Sequence, residues 1–230
     1  MTDLQLNLTE IQENIASAAK KSGRKANDIT LVGVSKTVSL ELIQNAFDLG
    51  VQHFGENRVQ EFLLKYNQFE KPNWHMIGHL QTNKVKFIVE KVKLIHSVDS
   101  LRLAQEIDKR AAMHNIKIDI LIEINIADED TKHGIKPQDA LFLLEQMQQF
   151  PNIRAKGLMC IAPYVETPEQ NRKYFEKMNR LFIDIKTKPL HNTDMRFLSM
   201  GMTGDYQVAI EEGANIVRIG TGLFEGKQKH

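Results

Sequence analysis

Lys36 closes an apolar run. Leu31-Val32-Gly33-Val34-Ser35-Lys36 reads as a buried strand that delivers a primary amine to the place where the strand ends. If the stem packs there, desolvation disfavours the ammonium, lowers its pKa and makes the amine a nucleophile toward carbonyls. The plain alternative is a lysine that turns outward into water. Near the other end of the chain, two glycine-rich stretches follow short apolar runs. They are Ser199-Met200-Gly201-Met202-Thr203-Gly204-Asp205 and Arg218-Ile219-Gly220-Thr221-Gly222. Glycines let backbone N–H groups come close to an anion, and Ser199 and Thr221 add hydroxyl donors. A short helix starting near Thr203–Asp205 would aim its N-terminus the same way, with Asp205 as a cap. Tight turns alone would also account for the glycines.

An amine and a phosphate cradle in one pocket suit two ligands. One is a phosphosugar held as a Schiff base, as in an aldolase. The other is pyridoxal 5′-phosphate, held covalently as an internal aldimine on Lys36. Arg218 bears on the choice, because a guanidinium is one of the partners proteins place beside the pyridine nitrogen of this cofactor. Arg218 is equally suited to pair with the phosphate or with a carboxylate.

The surrounding elements place these residues together. Eight short, β-branched or aromatic runs recur along the chain: 29–36, 52–56, 74–80, 94–98, 118–126, 153–161, 196–200 and 215–220. Each reads as a buried parallel strand. Helical periodicity lies between them in Leu42/Ile43/Ala46/Phe47, Val85/Ile88/Val89/Val92, Leu101/Ala104/Ile107/Ala111, Ala140/Leu143/Leu144/Met147 and Tyr174/Met178/Leu181/Phe182/Ile185. Thr167, Pro168 and Gln170 form a capping box before the last. An extra helix is expected over about 6–20. Eight strand–helix alternations give an α/β fold, a (β/α)₈ TIM barrel with an extra N-terminal helix, spanning 1–230 as a single domain. A doubly wound open sheet is the alternative topology. In a barrel the sites gather at the C-terminal strand ends. That collects Lys36, Asn57 and its neighbours after the second strand, His79 after the third, Cys160 after the sixth, and the two glycine-rich loops.

The 230 residues are 42% hydrophobic and 26% charged, with net charge +1, which gives no electrostatic reason for a nucleic-acid or membrane-surface partner. No signal peptide or membrane span is legible. One cysteine, Cys160, excludes an internal disulfide and points to a reducing compartment, the cytoplasm. It reads as a buried, inert thiol. His53, His75, His79 and His96 lack a ligand spacing, so no metal is expected. Glu123 and Asn125 share a strand face, and either line the pocket or form a satisfied polar layer. The stretch 128–134 reads as a solvated surface loop.

The stretches VGVSK (Val32–Lys36), FGENRVQE (Phe54–Glu61), WHMIGHLQTNK (Trp74–Lys84) and LSMGMTGDYQVAIEEGANIVRIGTGLFE (Leu198–Glu225) resemble the pyridoxal-phosphate homeostasis proteins, which are similar to the barrel domain of alanine racemase. The resemblance covers essentially the whole chain, in order. Two departures, Glu225-Gly226 after Phe224 and Val38 at a frequently basic position, do not touch the cofactor contacts. The resemblance implies that Lys36 carries the cofactor, and that Ser199, Met200, Gly201, Gly220 and Thr221 hold its phosphate. It places Arg218 beside the ring, and Asn57 and His79 in the pocket lining.

A racemase needs an acid–base group on each face of its substrate. Lys36 supplies one, and the chain reads as ending at His230 without a second domain to supply the other. The expectation is therefore a carrier for cofactor homeostasis, with no catalytic residue. Its partners would be the cofactor, amino acids that reach it and transient client enzymes, and its state a monomer or weak dimer. A residual cofactor-dependent racemase or lyase, and a cofactor-free aldolase, are the alternatives.

Overall fold

The computed structural model describes residues 2–129 and 131–225. Asp130 of the polar loop and Gly226 of the C-terminal departure lie outside the described residues. Eight parallel strands form a closed barrel in sequence order. They are β1 (Thr30–Val34), β2 (His53–Glu56), β3 (Asn73–Met76), β4 (Leu94–Val98), β5 (Ile118–Glu123), β6 (Ile153–Met159), β7 (Thr193–Ser199) and β8 (Ile216–Ile219). Pairing of β1 with β8, from Thr30↔Ile216 to Gly33↔Ile219, closes the ring and excludes the open sheet.

Every expected strand is present, most of them trimmed at the ends. The first stops at Val34, so Lys36 sits in the following turn rather than on the strand. The α-helices are α1 (Asp3–Lys21), α2 (Leu40–Asp48), α3 (Val59–Tyr66), α4 (Leu101–Met113), α5 (Ala140–Met147), α6 (Arg172–Lys186), α7 (Tyr206–Glu211) and α8 (Thr221–Phe224). The expected helix across Val85–Val92 does not form. A 3₁₀ segment, Thr82–Phe87, and the turns after it take its place, and Val85, Ile88, Val89 and Val92 are still buried. A short run of i, i+3 contacts buries the same stripe without a full α-helix. The Thr167–Gln170 capping box is formed, and it opens a 3₁₀ turn, Pro168–Asn171, that runs into α6.

α8 has four residues and covers little of the sheet, and α1 supplies the missing cover. Asn7 Nδ2 donates to the Leu223 carbonyl at 3.1 Å, Asn14 Nδ2 to the Tyr206 hydroxyl at 3.1 Å, and Lys21 pairs with Glu211 at 2.8 Å. Leu4, Leu8, Ile11, Ile15, Ala18 and Ala19 form the buried stripe of α1. The extra helix thus packs over α7, α8 and the turn Ala26–Asp28 that leads into β1, beside the segments that carry Arg218 and Lys36. Among the described residues no helix is long and apolar enough to cross a membrane.

Inside the barrel, side chains fall into layers because alternate strand residues face inward. Val32, Leu94, Leu121, Met159 and Ile216 form an apolar layer with Phe197 against it. Two residues further along β4, β5, β7 and β8 stand His96, Glu123, Ser199 and Arg218, a buried polar layer beneath the mouth. Gly157 lets β6 pass β7. Its φ is 154°, the register shifts beside it, and a Cβ there would lie 1.7 Å from the Phe197 carbonyl oxygen. Gly157→Ala is expected to cost about 3 kcal/mol or more in urea unfolding. Gly204→Ala, where a Cβ meets nothing within 4 Å, should cost less than about 1 kcal/mol. Equal losses at both positions would contradict this account of β6.

Candidate functional site at the barrel mouth

Ser35, Lys36, Thr37 and Val38 form a turn closed by a 3.0 Å bond from the Val38 N–H to the Ser35 carbonyl. Thr37 takes φ 61°, a strained value for a β-branched residue and of the kind that concentrates at ligand sites. The turn is fastened from below. Glu56 Oε1 accepts from the Ser35 hydroxyl at 2.7 Å and from Lys65 Nζ at 2.6 Å, and Lys65 Nζ also donates to the Ser35 carbonyl at 2.6 Å. Glu56 is fully buried, so β1, β2 and α3 meet at a desolvated ion pair. Lys36 itself is exposed, and the packing of its stem expected from the sequence does not occur. It faces a cavity of about 600 Å³.

Across the cavity stand Met202–Asp205, Gly220, Thr221 and Arg218, and a loop from Ile161 to Pro168 overhangs it. Asn171 Nδ2 donates to Asp205 Oδ2 at 2.8 Å and to the Pro163 carbonyl at 3.0 Å, tying two rims together. Asp205 Oδ1 accepts from the Met202 N–H at 2.7 Å. Asp205 therefore braces the loop and makes no side-chain bond to the first turn of α7. Among the described residues, the N–H groups of Thr203, Gly204 and Thr221 have no protein acceptor. With the Thr203 and Thr221 hydroxyls, which approach each other at 3.3 Å, they make a neutral donor set that fits a phosphate.

Arg218 forms part of the cavity wall but is only 3% exposed. Nη1 donates to Ser199 Oγ at 2.6 Å and Nη2 to the Cys160 carbonyl at 2.8 Å. Burial pulls its pKa below the ordinary value, while Cys160, Asp205 and Glu123 act the other way. Ser199, Met200 and Gly201 sit beneath the cavity rather than on its wall. The Ser199 hydroxyl is fully buried against Arg218 and His96. Met200 and Gly201 join β7 to β8, with the Gly201 carbonyl accepting from the Arg218 backbone N–H at 3.0 Å. Asn57 and His79 lie apart from this wall. Asn57 packs its backbone against Gly78, where a Cβ would meet the Asn57 carbonyl oxygen at 2.5 Å. His79 pairs with Asp99 at 3.6 Å and stacks on His133 with centroids 4.1 Å apart. Of the nine residues drawn from the sequence, the fold brings Lys36, Arg218, Gly220 and Thr221 onto one cavity.

Asn125 staples the polar loop, donating to the Glu129 carbonyl at 2.8 Å and accepting from its N–H at 3.1 Å. Glu123 is 5% exposed, and burial, with Asp99 adding, pushes its carboxyl up to about 7. Burial drives the Cys160 thiol up to about 12, which makes it inert at neutral pH. Sequence reasoning missed Lys65, Asn171 and the bonds joining His53, His75 and His96. Only the strand positions of those histidines, at the inward phase of β2, β3 and β4, carried a signal.

The model of the alanine racemase N-terminal domain matches residues 6–228. The pyridoxal phosphate homeostasis protein of Aquifex aeolicus is 47% identical over 225 residues, covering 97% of each chain. The chain belongs to the pyridoxal phosphate homeostasis protein family. A crystal structure of an unknown protein from Bifidobacterium adolescentis superposes with a TM-score of 0.91 at 32% identity, covering 97% of each chain. PipY from Synechococcus elongatus, solved with PLP bound, superposes with a TM-score of 0.79 at 32% identity, covering 91% of this chain and 99% of that one.

Two stability predictions test the ground beneath the site. Glu56→Ala strands Lys65 in a half-dry pocket and should cost about 3 kcal/mol in urea unfolding, whereas an unchanged midpoint would show that the pair holds nothing. The second concerns pH. Burial holds His75 down at about 3 and His96 well below its usual value, so the unfolded chain takes up protons below pH 6.5 that the folded chain refuses. Their contribution is full above 6.5 and lost as pH falls. Glu123 runs in the opposite sense: its contribution is full below 4.5 and lost as pH rises through about 7. The histidines, His53 among them, outweigh the one carboxyl, so stability falls as pH drops from 6.5 to 4.5, and falls more steeply below 4.5 where the Glu123 offset has ended. Urea midpoints at pH 6.5 and 5.5 measure the first slope.

Proposed function

We propose that this chain binds pyridoxal 5′-phosphate at the barrel mouth through Lys36 and serves intracellular homeostasis of that cofactor without significant catalysis. The observation that carries the reading is the meeting, on one cavity, of an accessible primary amine, a buried guanidinium and unengaged backbone donors from two glycine-rich loops. When bound, the cofactor supplies an aldehyde that condenses with a primary amine and releases water. The Thr203, Gly204 and Thr221 N–H groups and the two threonine hydroxyls hold the phosphate. Arg218, anchored by Ser199 and the Cys160 carbonyl, presents its remaining N–H bonds to the ring and stays protonated. A guanidinium in that place opposes a proton on the ring nitrogen, and so weakens the electron withdrawal that amino-acid chemistry needs.

The same residues argue for holding rather than turnover. Lys36 is one base. Cys160, which closes β6, carries no thiolate at neutral pH, and His79 is turned to Asp99 and His133. Lys132, Tyr164 and Glu166 also border the cavity, at exposed loop positions, and an acid or base that is not held in place forfeits about 10²–10⁴-fold in rate. An exposed Lys36 also leaves the cavity open to amines and to client enzymes. We read the 1–230 barrel as a single cofactor-binding unit in the reducing cytoplasm.

Borohydride reduction followed by peptide mapping is expected to place a pyridoxyl adduct on the Lys36 peptide. Lys36→Ala should abolish it and leave the fold intact, since the residue is exposed. An adduct only on another lysine overturns the assignment, and a colourless protein that gains no visible band with the cofactor overturns the cofactor itself in favour of an aldolase. Pyridoxal without its phosphate should bind at least about tenfold more weakly, the loss of one or more hydrogen bonds to a charged group. Holo-protein incubated with L-alanine should give a spectral change without accumulating D-alanine or keto acid. Saturable turnover near the ~10 s⁻¹ typical of enzymes would establish the racemase or lyase instead.

A further inference from the structure

Three buried or half-buried histidines and one serine run in an unbroken hydrogen-bonded line through the barrel. His53 Nδ1 lies 2.9 Å from His75 Nε2. His75 Nδ1 lies 2.8 Å from His96 Nε2, and His96 Nδ1 lies 3.0 Å from Ser199 Oγ. Ser199 Oγ in turn accepts from Arg218 Nη1 at 2.6 Å. The line begins at a cavity of about 530 Å³ at the N-terminal end of the strands, bordered by His53, Thr30, Gln52 and α1 residues Leu8, Gln12 and Ile15. It ends at the guanidinium on the wall of the mouth.

We propose that His53, His75, His96 and Ser199 are positioning residues that form a one-way hydrogen-bond relay, polarised by Arg218, which fixes each histidine in its Nε2–H tautomer and holds the guanidinium in place. Its direction follows from donor chemistry. A guanidinium only donates, so Ser199 Oγ must accept from it. The single Ser199 proton then goes to His96 Nδ1, the other polar atom in reach. His96 Nδ1 is therefore an acceptor, and its proton sits on Nε2, aimed at His75 Nδ1. The same step repeats to His53, whose Nε2–H faces the base cavity. Reversal would put two donors on Ser199 Oγ and strand its own proton in a fully buried site, a cost of about 1–3 kcal/mol. Burial supports neutral rings: His75 and His96 are held below their ordinary pKa, and His53 is lowered by burial and by Lys93. A neutral relay adds no second charge beside Arg218.

The relay deepens the cofactor reading, which gives Arg218 its task, but its test does not depend on that reading. The full chain, without added cofactor, is labelled with ¹⁵N in histidine and arginine and examined at pH 7 by two-bond ¹H–¹⁵N correlation. His53, His75 and His96 should each show the neutral Nε2–H pattern. Ser199→Ala should shift the ring signals of His96 and also of His75 and His53, which it does not touch. It should speed exchange of the Arg218 Nη1–H protons with water by about tenfold or more, the loss of a charge-assisted bond. Ser199→Thr, which keeps the hydroxyl, should restore both. If Ser199→Ala fails to fold, His53→Ala at the open end serves instead, and should shift His75 and His96. A proton on Nδ1 of any of the three rings overturns the relay, as does a Ser199→Ala effect confined to His96 or unchanged Arg218 exchange. Loss of cofactor binding with the tautomers intact would count against the functional reading and leave the relay standing.

Discussion

Arg218 carries a permanent charge into the interior of a closed barrel, and the polar layer around it follows from that demand. A buried guanidinium without acceptors would be among the costliest groups the fold could hold. Here Ser199 and the Cys160 carbonyl receive two of its donors, while Glu123 and Asp205 stand close enough to favour its charge. Each of those partners then imposes its own requirement. The Ser199 hydroxyl has its own proton to place, and His96, rather than a leucine, stands beside it to accept. Glu123, in the same dry layer, holds its proton to an unusually high pH. The apolar layer one step down the strands can be ordinary because the polar one above it absorbs these needs.

Barrel closure is what turns remote sequence positions into one site. The Gly33↔Ile219 pairing sets the end of β1 beside the end of β8, so Lys36 and Thr221 face a common cavity although 185 positions of sequence separate them. That junction is also where the usual helical cover is thinnest, since α8 has only four residues. The burial of α1 over α7 and α8 thus belongs to the architecture of the site as well as to the core. Removing that helix would expose the apolar faces of α7 and α8, which flank the segments that carry the guanidinium and the amine.

Much of this was legible from residue patterns, for identifiable reasons. Parallel strands buried on both faces are continuous apolar runs, so all eight were visible, and Leu94–Val98 came out with its ends in place. The capping box at Thr167 is a local signal and survived as one. By contrast, Val85, Ile88, Val89 and Val92 satisfy the helical period, yet the connection from β3 to β4 buries them with a 3₁₀ segment and turns, because burial of the stripe does not itself require α geometry. α3 was not legible because its apolar residues follow directly on the β2 motif. Ser199 illustrates a different limit. Its loop suits a phosphate, but only the inward phase of β7 decides that its hydroxyl turns to Arg218. The Glu56–Lys65 pair and the Asn171 brace are long-range polar contacts, which leave no period in a sequence.

The exposure of Lys36 has a mechanistic consequence opposite to the one its strand suggested. A desolvated lysine would be activated by its surroundings, but it would also be walled in with whatever it held. This lysine stands on a strained turn whose base is rigid, with Ser35, Glu56 and Lys65 locked together at 2.6–2.7 Å, and whose tip is open. Rigid anchoring below keeps the amine within reach of the cavity. Openness above lets a competing amine, from an amino acid or from another protein's lysine, approach the same carbon. Capture by Lys36 and surrender to a second amine are the same exchange run in two directions, so a site built this way favours reversible custody of an aldehyde. Among the described residues the mouth is open above Lys36, and on the reading proposed above that suits holding better than turnover, which requires water and wrong nucleophiles to be excluded.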